Sequence, residues 1–264
     1  MKKYLVIGNP IDHSLSPELH NYWLKENNIA GFYDKEKLNN KDLKNFFVRI
    51  RNREIDGANV TIPFKKEVIS YLDDLSLEAK STQSVNTIYY KNNKIIGHNT
   101  DIYGFEQAIK DTGYDLTGKK ILILGAGGVV PSIIFALYKM EAFSISLCNR
   151  TKAKTKNLKD LFSNLNIVDW GKIIDSDMII NATSVGLEQD DKLNLDFSKF
   201  QNAEFFYDII YNPKITNFLK TAKKLNKKTE NGKKMFIYQA AQSFKIWHEI
   251  KPQVNNEVNR LLDK

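Results

Sequence analysis

Two adjacent lysines, Lys65 and Lys66, follow a β-branched segment and Pro63 in the stretch NVTIPFKKEV, residues 59–68. A lysine ammonium can stabilise negative charge that develops on a substrate oxygen and can supply the proton that neutralises it. We predict a helix over residues 64–77. On such a helix Lys65 shares a face with apolar residues at offsets of three, four and seven, whereas Lys66 aligns with polar residues. The spacing therefore singles out Lys65.

Two interpretations of Lys65 fit this spacing. In the first, an ammonium near a partly dry surface loses hydration, which favours its neutral form and suits it to proton transfer. In the second, the aliphatic stem covers the apolar core while the charge reaches water. Because such lysines are common on amphipathic helices, the spacing alone favours the second interpretation, and other residues have to decide.

Other polar side chains stand where a pocket could collect them. In DHSLSPELH, Ser14 and Ser16 are two residues apart in extended chain, so both hydroxyls can face one side just before a helix. A helix start with two hydroxyls suits a carboxylate, although Ser16 before Pro17 is also a typical N-cap. Asn86 and Asp101 each end a strand-like segment, and helix capping alone would explain Asp101.

A glycine loop lies further along the chain, in ILILGAGG. Gly125 and Gly127 come directly after an apolar strand and directly before a helical pattern, which is the context of a dinucleotide-binding turn. Gly125 permits the tight turn, and Gly127 lets backbone N–H groups approach a pyrophosphate at the helix N-terminus. The third fingerprint position is Val130 rather than Gly or Ala, and Pro131 follows in the first helical turn, where it is tolerated. A tight turn without a ligand remains the simpler alternative.

The end of the next strand indicates which dinucleotide binds. An NAD site needs a carboxylate about 20 residues after the glycines to accept the ribose hydroxyls, but this chain has CNRTKAK there. Asn149, Arg150, Thr151 and Lys154 offer donors and positive charge, which suits a 2′-phosphate, and Arg150 can also lie flat on the adenine. A simpler alternative is a helix that is capped by Thr151 and followed by solvated lysines. It does not explain why Arg150 stands where an NAD site has an acid. The sequence therefore predicts NADP(H).

These residues need strands and helices to position them, and the pattern predicts an α/β fold in two lobes. The first lobe combines strands in KYLVIG and GANVTIP, a helix in SPELHNYWLKENN, and a strand pair in SVNTIYY and KIIGHNTD. The second block repeats strand and helix, with strands in ILIL, SISLC, DMIIN and FFYDII, which predicts a Rossmann-type parallel sheet. We expect a substrate domain at 1–100, an NADP domain at 101–234, and C-terminal helices at 235–264 that return to the first lobe.

The composition narrows the class of protein. Of 264 residues, 42% are hydrophobic and 27% are charged, which is typical of a globular protein, and no apolar run is long enough to span a membrane. Cys148 is the only cysteine and the four histidines lack metal-ligand spacing, so we expect no disulfide and no metal site. The net charge of +8 comes from scattered lysines without a nucleic-acid-binding motif. We expect a cytoplasmic protein that binds small molecules, not nucleic acid or membrane.

An ordered set of segments resembles the shikimate dehydrogenase family nearly from end to end. These segments are VIGNPIDHSLSPELHN, GANVTIPFK, SVNT, GHNTDIYGF, GAGG, NRT, NATSVG, DIIYNP, NGKKM and YQAAQSF. The resemblance implies reversible hydride transfer between NADPH and the C3 carbonyl of 3-dehydroshikimate, in a cleft between two α/β lobes. Members of the family occur as monomers and as homodimers, so either is expected.

The resemblance also implies roles for individual residues. Lys65 and Asp101 match the catalytic pair, and Ser14 and Ser16 match the seat of the substrate carboxylate. The residues that match contacts with the substrate hydroxyls and ring are Thr61, Asn86, Asp101, Tyr211 and Gln239. The residues that match the family's cofactor contacts are Gly125, Ala126, Gly127, Gly128, Val129, Asn149, Arg150, Thr151, Lys154, Ile209 and Gly232. The family's GAGGA is GAGGV here, which makes the glycine loop the position of greatest departure.

Three alternatives remain at this point. A quinate/shikimate dehydrogenase with relaxed cofactor use has the same motifs, but that subgroup tends to place an acid in the ribose loop, and this chain has none before Asp160. A methylene-tetrahydrofolate dehydrogenase shares a lysine and a two-lobe plan, yet should lack the paired serines and GHNTD. A non-catalytic NADPH-binding regulator would keep the fold but has no need of Lys65 and Asp101.

Overall fold

The computed structural model describes residues 1–188 and 190–263, which form two compact units. Unit 1 comprises Met1–Gly104 and Ile237–Lys264, and unit 2 comprises Phe105–Phe236. The C-terminal segment therefore belongs to the same unit as the N-terminal one. The predicted boundaries, at residues 101 and 235, lie near the starts of two helices. The two units divide a few residues further along each helix, after Gly104 and after Phe236. A sequence pattern marks where a helix starts, but it does not show where the helix passes from one unit to the other.

Unit 1 is built on a mixed sheet in the order β2-β1-β3-β5-β6-β4. Its strands are β1 (Lys2–Gly8), β2 (Gly31–Lys37), β3 (Gly57–Val60), β4 (Asp74–Leu75), β5 (Thr87–Lys91) and β6 (Lys94–His98). The helices with residues in this unit are α1 (Ser16–Glu26), α2 (Leu43–Arg51), α3 (Leu77–Thr82), the start of α4 (Asp101–Lys110), most of α8 (Lys233–His248) and α9 (Asn256–Leu261). Strands β2, β1 and β3 run parallel, and β3, β5 and β6 run antiparallel.

The sequence analysis missed two strands of this sheet, β2 and the two-residue β4. Strand β2, GFYDKEK, pairs with β1 along its whole length at the edge of the sheet. In it only Tyr33 is buried, and the remaining residues are charged, small or partly exposed. An edge strand with one buried face and polar ends carries little hydrophobic periodicity, which is why the pattern did not show it.

The predicted helix over residues 64–77 is wrong. Lys65 lies in a run of turns, a 3₁₀ helix covers Glu67–Tyr71, and the short strand β4 follows. The carbonyl of Lys65, which would bond four residues ahead in an α-helix, instead accepts the backbone N–H of Val85 at 2.8 Å. A tertiary backbone bond therefore replaces the helical one, and the helical-face argument for Lys65 does not hold.

Aromatic rings join the N- and C-terminal segments of unit 1. The ring of His20 on α1 stacks on Tyr33 with centroids 4.3 Å apart and planes within 3°, and Trp23 packs edge-on against Phe244 of α8. Trp247 donates its indole N–H to the carbonyl of Ile88 at 3.0 Å. These contacts hold α8 to the sheet of unit 1. Helix α9 follows α8 along the chain, and the sequence analysis did not distinguish these two helices.

Unit 2 contains a parallel sheet in the order β12-β11-β10-β7-β8-β9. Its strands are β7 (Lys120–Leu124), β8 (Ser144–Cys148), β9 (Asn166–Val168), β10 (Met178–Asn181), β11 (Phe205–Asp208) and β12 (Lys228–Glu230). The helices wholly within it are α5 (Val130–Lys139), α6 (Lys152–Leu161) and α7 (Asn217–Lys224). The chain reverses its direction of strand addition at β7, so the crevice at the carboxyl end of β7 is the dinucleotide position of a Rossmann fold. The predicted α/β fold class is confirmed.

The sheet of unit 2 is buried. Strands β7, β10 and β11 are almost continuous runs of buried apolar residues, as a parallel sheet covered on both faces requires. On one side, Phe206 of β11 packs against Phe197 and Phe218 at 5.8 and 5.5 Å between ring centroids. Cys148 ends β8 inside this core, and burial raises the pKa of its thiol to about 12, so the thiol stays protonated and inert.

Candidate active site

The side chains of Lys65 and Asp101 form an ion pair within unit 1. Lys65 Nζ donates to Asp101 Oδ2 at 2.6 Å, and the two side chains are only 13% and 8% exposed. Two charges from which water is largely excluded attract each other more strongly than a surface pair does. Lys66, by contrast, is exposed and stands at the start of the 3₁₀ segment. The chain thus brings together one lysine and one carboxylate that are far apart in sequence.

Asn86 fixes the other oxygen of Asp101. The backbone N–H of Thr100 donates to Asn86 Oδ1 at 2.8 Å. Because a backbone N–H can only donate, the atom that faces it must be the amide oxygen, and the Nδ2 group of Asn86 lies on the other side. There it donates to Asp101 Oδ1 at 2.8 Å and to Thr100 Oγ1 at 3.0 Å, with Gln239 Oε1 at 3.3 Å. Asp101 begins α4, but its carboxylate bonds Lys65 and Asn86, so helix capping does not explain it.

A cluster of buried polar side chains supports Asn86, and the sequence analysis missed it. Thr87, Thr100 and Ser243 place their hydroxyls within 3.2 Å of one another, and Asn59 donates from Nδ2 to Ser243 at 2.9 Å. All of these side chains are buried. The available signal was polar residues inside apolar strands, in GANVT and SVNT, because a buried polar side chain requires partners.

Ser14 and Ser16 lie together at the start of α1. Ser14 Oγ accepts the backbone N–H of Ser16 at 3.3 Å, and Ser16 is buried whereas Ser14 is half-buried. The predicted N-cap at Ser16 is wrong, since Ser16 is the first helical residue and Leu15 occupies the cap without a side-chain bond. Thr61 follows β3 and donates its N–H to the carbonyl of Ile7 at 2.9 Å, and the residue itself is half-buried.

The glycine loop of unit 2 has the backbone that its sequence predicts. Gly125 has φ of +106°, and a Cβ there would lie 2.8 Å from the carbonyl oxygen of Ala182, so no other residue fits without a shift. Gly127 and Gly128 are exposed, and Ala126 and Val129 are partly exposed. Helix α5 begins directly afterwards with Pro in its first turn. The loop therefore offers accessible backbone N–H groups at a helix N-terminus, which fits a pyrophosphate.

The ribose loop after β8 is open and basic. Arg150, Thr151 and Lys154 are exposed, and Asn149 Nδ2 donates to the carbonyl of Thr151 at 2.9 Å. Thr151 occupies the N-cap of α6 without making a side-chain cap bond, so capping does not account for its hydroxyl. Residues 149–154 contain no carboxylate. This set of donors and charges fits a 2′-phosphate and does not fit the bare ribose diol of NAD.

The remaining predicted residues of unit 2 lie after β11. Gly232 packs against Ile209 so closely that a Cβ there would lie 1.9 Å from the Ile209 carbonyl oxygen. Tyr211 is partly exposed and stacks on Phe236 with ring centroids 4.8 Å apart. Gly232 is thus required for the close approach of two chain segments, and Ile209 lies at the carboxyl end of the sheet.

Two other expectations concern the described residues, 1–188 and 190–263. Within them no cluster of His, Cys, Asp and Glu side chains has the geometry of a metal site. No helix in that part of the chain is long and apolar enough to cross a bilayer.

Comparison with known proteins identifies the family. The model for the shikimate dehydrogenase substrate binding domain matches residues 6–88, and the model for shikimate / quinate 5-dehydrogenase matches residues 106–227. The chain is 53% identical over 262 residues to the NADP(+) shikimate dehydrogenase of Pelagibacter ubique (strain HTCC1062), and the match covers 99% of each protein. The chain belongs to the shikimate dehydrogenase family.

Solved structures of shikimate dehydrogenases share the fold. The protein from Aquifex aeolicus gives a TM-score of 0.92 at 34% identity, covering 100% of this chain and 98% of that one. Shikimate 5-dehydrogenase from Thermus thermophilus, in complex with NADP(H) and shikimate, gives 0.90 at 31% identity, covering 99% of this chain and 100% of that one.

Proposed function

We propose that this chain catalyses the reversible reduction of 3-dehydroshikimate to shikimate with NADPH, a step of aromatic amino-acid biosynthesis. The observation that carries the proposal is the largely buried ion pair between Lys65 and Asp101, which places an ammonium on a defined carboxylate in unit 1. The relative in Pelagibacter ubique is named as the NADP(+) enzyme, and the Thermus structure contains NADP(H) together with shikimate. Both support the assignment of substrate and cofactor.

The chemistry assigned to unit 1 follows from charge. When bound, NADPH supplies a hydride to the carbonyl carbon, and negative charge then develops on the carbonyl oxygen. The Lys65 ammonium stabilises that charge and donates the proton to the oxygen. Asp101 Oδ2 keeps the ammonium in place, and Asn86 keeps the carboxylate from rotating by bonding Oδ1. In the reverse direction the same lysine, neutral, takes the hydroxyl proton.

We assign the substrate contacts as follows. Ser14 and Ser16 bind the carboxylate, because two adjacent hydroxyl groups stand at the start of α1. Thr61, Asn86, Gln239 and Tyr211 bind hydroxyls and ring. Among these Asn86 acts chiefly by orienting Asp101, since its two N–H groups already face oxygens of Asp101, Thr100 and Gln239 in the protein.

We assign the cofactor contacts to unit 2. The residues from Gly125 to Val129 bind the pyrophosphate, and Asn149, Arg150, Thr151 and Lys154 bind the 2′-phosphate and adenosine. Ile209 and Gly232 contact the other half of the dinucleotide. This placement is supported by the exposed backbone of the glycine loop and by the lack of any acid in residues 149–154.

One spectrophotometric assay tests the function. Reduction of NADP by shikimate, followed through the absorbance of NADPH, is expected, with much weaker reduction of NAD. Tight NADPH binding without any turnover would instead favour a regulator that lost the chemistry. We place the reaction in the cytoplasm, where the single, unpaired Cys148 would stay reduced, with the chain acting as a monomer or homodimer.

A second candidate is oxidation of quinate with relaxed cofactor use. The family model over residues 106–227 is described as shikimate / quinate 5-dehydrogenase, so the family name itself leaves this activity open. The same assay with quinate in place of shikimate decides between them. Comparable rates with quinate and NAD would favour the second candidate.

A further inference from the structure

A fully buried carboxylate, Asp208, ends β11 of unit 2 and has no role in the function proposed above. It accepts hydrogen bonds from Thr216 Oγ1 at 2.6 Å, from the backbone N–H of Ile210 at 3.0 Å and from Asn181 Nδ2 at 3.1 Å. Within residues 1–188 and 190–263 no lysine or arginine pairs with it. Its charge is therefore met by neutral donors from three separate segments of chain.

Each of these bonds fixes a different piece of backbone at the carboxyl end of the sheet. Asn181 ends β10, and its Nδ2 also donates to the carbonyl of Val185, while its Oδ1 accepts from the N–H and hydroxyl of Thr183. The turn over residues 182–186 is thereby tied to Asp208. The bond to Ile210 fixes the residue that follows Ile209, and the Ala182 carbonyl of the turn lies against Gly125 of the glycine loop.

The strand order shows which part of a dinucleotide would meet these segments. Pyrophosphate bound at the glycine loop lies at the end of β7, and the adenosine ribose lies toward β8, where Arg150 stands. The other half of the molecule must then extend the opposite way along the sheet. In the order β12-β11-β10-β7-β8-β9, that direction leads over the ends of β10 and β11. The nicotinamide half therefore falls where Asp208 holds the backbone.

A buried carboxylate is a costly way to tie two loops together. Desolvation disfavours the ionised form, and here burial raises the pKa of Asp208 to about 6 in spite of three hydrogen bonds that lower it. An amide of the same shape would also accept a hydrogen bond without the penalty of a buried charge. An amide would keep the oxygen that accepts from Ile210 and Asn181, but at the other position it would have to donate to Thr216, whereas the carboxylate accepts from the Thr216 hydroxyl there.

We propose that Asp208 is a positioning residue for NADPH: its carboxylate holds the 182–186 turn and the backbone at Ile209 in the arrangement that receives the nicotinamide half. The proposal rests on the function proposed above only for the identity of the dinucleotide. Asp208 is not expected to touch substrate or cofactor, and it acts through Asn181, Ile210 and Thr216.

The pH dependence of NADPH binding can test this, so the other titratable groups around Asp208 matter. On the surrounding elements these are Tyr207 on β11, Lys228 and Glu230 on β12, Glu188 and Asp191 beyond the turn, Tyr211 and Lys214 in the following loop, and Lys220 on α7. In the part of the chain that the structure describes, the groups that bond Asp208 are the neutral donors of Thr216, Ile210 and Asn181. Protonation near pH 6 replaces one acceptor oxygen by a donor, so the contact most directly affected is the bond from Thr216 to Oδ2, while Oδ1 can still accept from Ile210 and Asn181.

The central experiment compares the wild-type protein with Asp208→Asn. We expect the Kd for NADPH, from its fluorescence, and the KM for NADPH to rise about tenfold at pH 7.5, while the KM for shikimate changes less than twofold. We expect the Kd of the wild type to rise as the pH falls from 7.5 to 5.5, and that rise to be smaller in Asp208→Asn. Because the 2′-phosphate of NADPH also titrates near pH 6, only the difference between the two proteins counts.

Asp196→Asn is the matched control, since Asp196 caps an exposed turn of the same unit through Ser198, and it should leave every one of these quantities unchanged. If Asp208→Asn does not fold, Thr216→Val, which removes the shortest bond to the carboxylate, should raise the Kd for NADPH severalfold. A lower melting temperature with unchanged NADPH affinity in these variants, or equal rises in both KM values, would overturn the proposal. Should shikimate give no turnover with the wild type, the proposed function fails, but the Kd for NADPH still tests Asp208.

Discussion

The two units hold their functional side chains in opposite ways. In unit 1 the reactive charges are buried and already bonded, with Lys65 on Asp101 and Asp101 on Asn86. In unit 2 the basic groups after β8 are exposed, and across residues 1–188 and 190–263 the side chains of Arg150 and Lys154 form no ion pair that would have to break before a phosphate binds. One unit is organised in advance, whereas the other presents solvated charge.

This difference matches two kinds of task. A group that stabilises developing charge is effective only if it is fixed before the reaction, because any reorganisation would add to the barrier. A group that binds a phosphate works from solvent and contributes through charge that water and salt partly screen. Changes in unit 1 should therefore lower turnover, while changes in the ribose loop of unit 2 should weaken cofactor binding.

The largest effect is expected for Lys65→Ala. The substitution removes both the stabilising charge and the proton donor, and general acid catalysis typically contributes about 10²–10⁴-fold. We expect kcat to fall by that order while the Kd for shikimate changes little, measured by steady-state assays at saturating NADP and by calorimetry.

Lys66→Ala is the matched control for this prediction. Lys66 is the neighbouring lysine, it is exposed, and no role is assigned to it, so its loss should leave kcat within twofold. A large loss of turnover in Lys66→Ala together with a mild one in Lys65→Ala would reverse the contrast between the two lysines and remove the basis of the proposed chemistry.

Much of unit 2 could be predicted from sequence because its signals are local. Strand β8 was predicted with its observed bounds, Ser144–Cys148, and strand β7 was predicted from the apolar run ILIL, since a buried parallel strand shows as a short segment rich in apolar residues. The glycine loop was predicted from the same local context.

The site of unit 1 was less accessible to sequence reasoning because its contacts are long-range. Lys65 was selected on a helix that does not exist, and what places it is the bond from Val85 to its carbonyl and the pair with Asp101. Ser243 joins Thr87 across 156 residues. No local period encodes such pairings, so only the family resemblance pointed to Lys65, and the supporting hydroxyl cluster was missed.

A smaller effect is expected for Arg150→Ala. If the exposed guanidinium binds the 2′-phosphate, its loss should raise the KM for NADPH about tenfold, which corresponds to about 1.4 kcal/mol, and leave the KM for NADH nearly unchanged. The rise should shrink as salt concentration increases, because the charge is solvated. Steady-state kinetics with both cofactors at low and high salt measure this.

Lys152 provides the control on the same loop. It is also exposed, but its Nζ pairs with Asp169 at 2.9 Å, and it has no assigned cofactor contact. Lys152→Ala should therefore change neither constant by more than about twofold, as is usual for an exposed ion pair. Equal rises for NADPH and NADH in Arg150→Ala would show that Arg150 does not read the 2′-phosphate.

The last prediction concerns stability in acid and not the reaction, and there the two units should respond in opposite directions. All four histidines lie in unit 1, and burial, with the nearby His248, lowers the pKa of His20 to about 3. Burial likewise lowers the pKa of His248 to about 4. An unfolded histidine has a pKa near 6.5. Below that pH, His20 and His248 therefore bind protons in the unfolded state but remain neutral in folded unit 1. The stability contribution is complete above about pH 6.5 and declines as the pH falls toward about 3–4.

Asp208 gives unit 2 the opposite sign. Its folded pKa of about 6 exceeds the unfolded value of 3.8, so its contribution to stability is present below pH 3.8 and is lost as the pH rises through 6. When the pH is lowered from 7 to 5, the free energy of unfolding of unit 1 should fall by about 2 kcal/mol through His20 alone. That of unit 2 should rise by about 1 kcal/mol through Asp208. Unit 1 is therefore expected to unfold first in mild acid.

Tryptophan fluorescence can separate the units, because Trp23 and Trp247 lie in unit 1 and Trp170 in unit 2. In a Trp170→Phe background, urea unfolding at pH 7.5 and 5.0 reports unit 1. His20→Phe keeps a ring on Tyr33 and should reduce the loss of stability between these pH values, whereas His13→Asn, at an exposed histidine, should not. The same loss in all three proteins would mean that buried histidines do not set the acid response of unit 1, and the expected opposite response of the two units would fail.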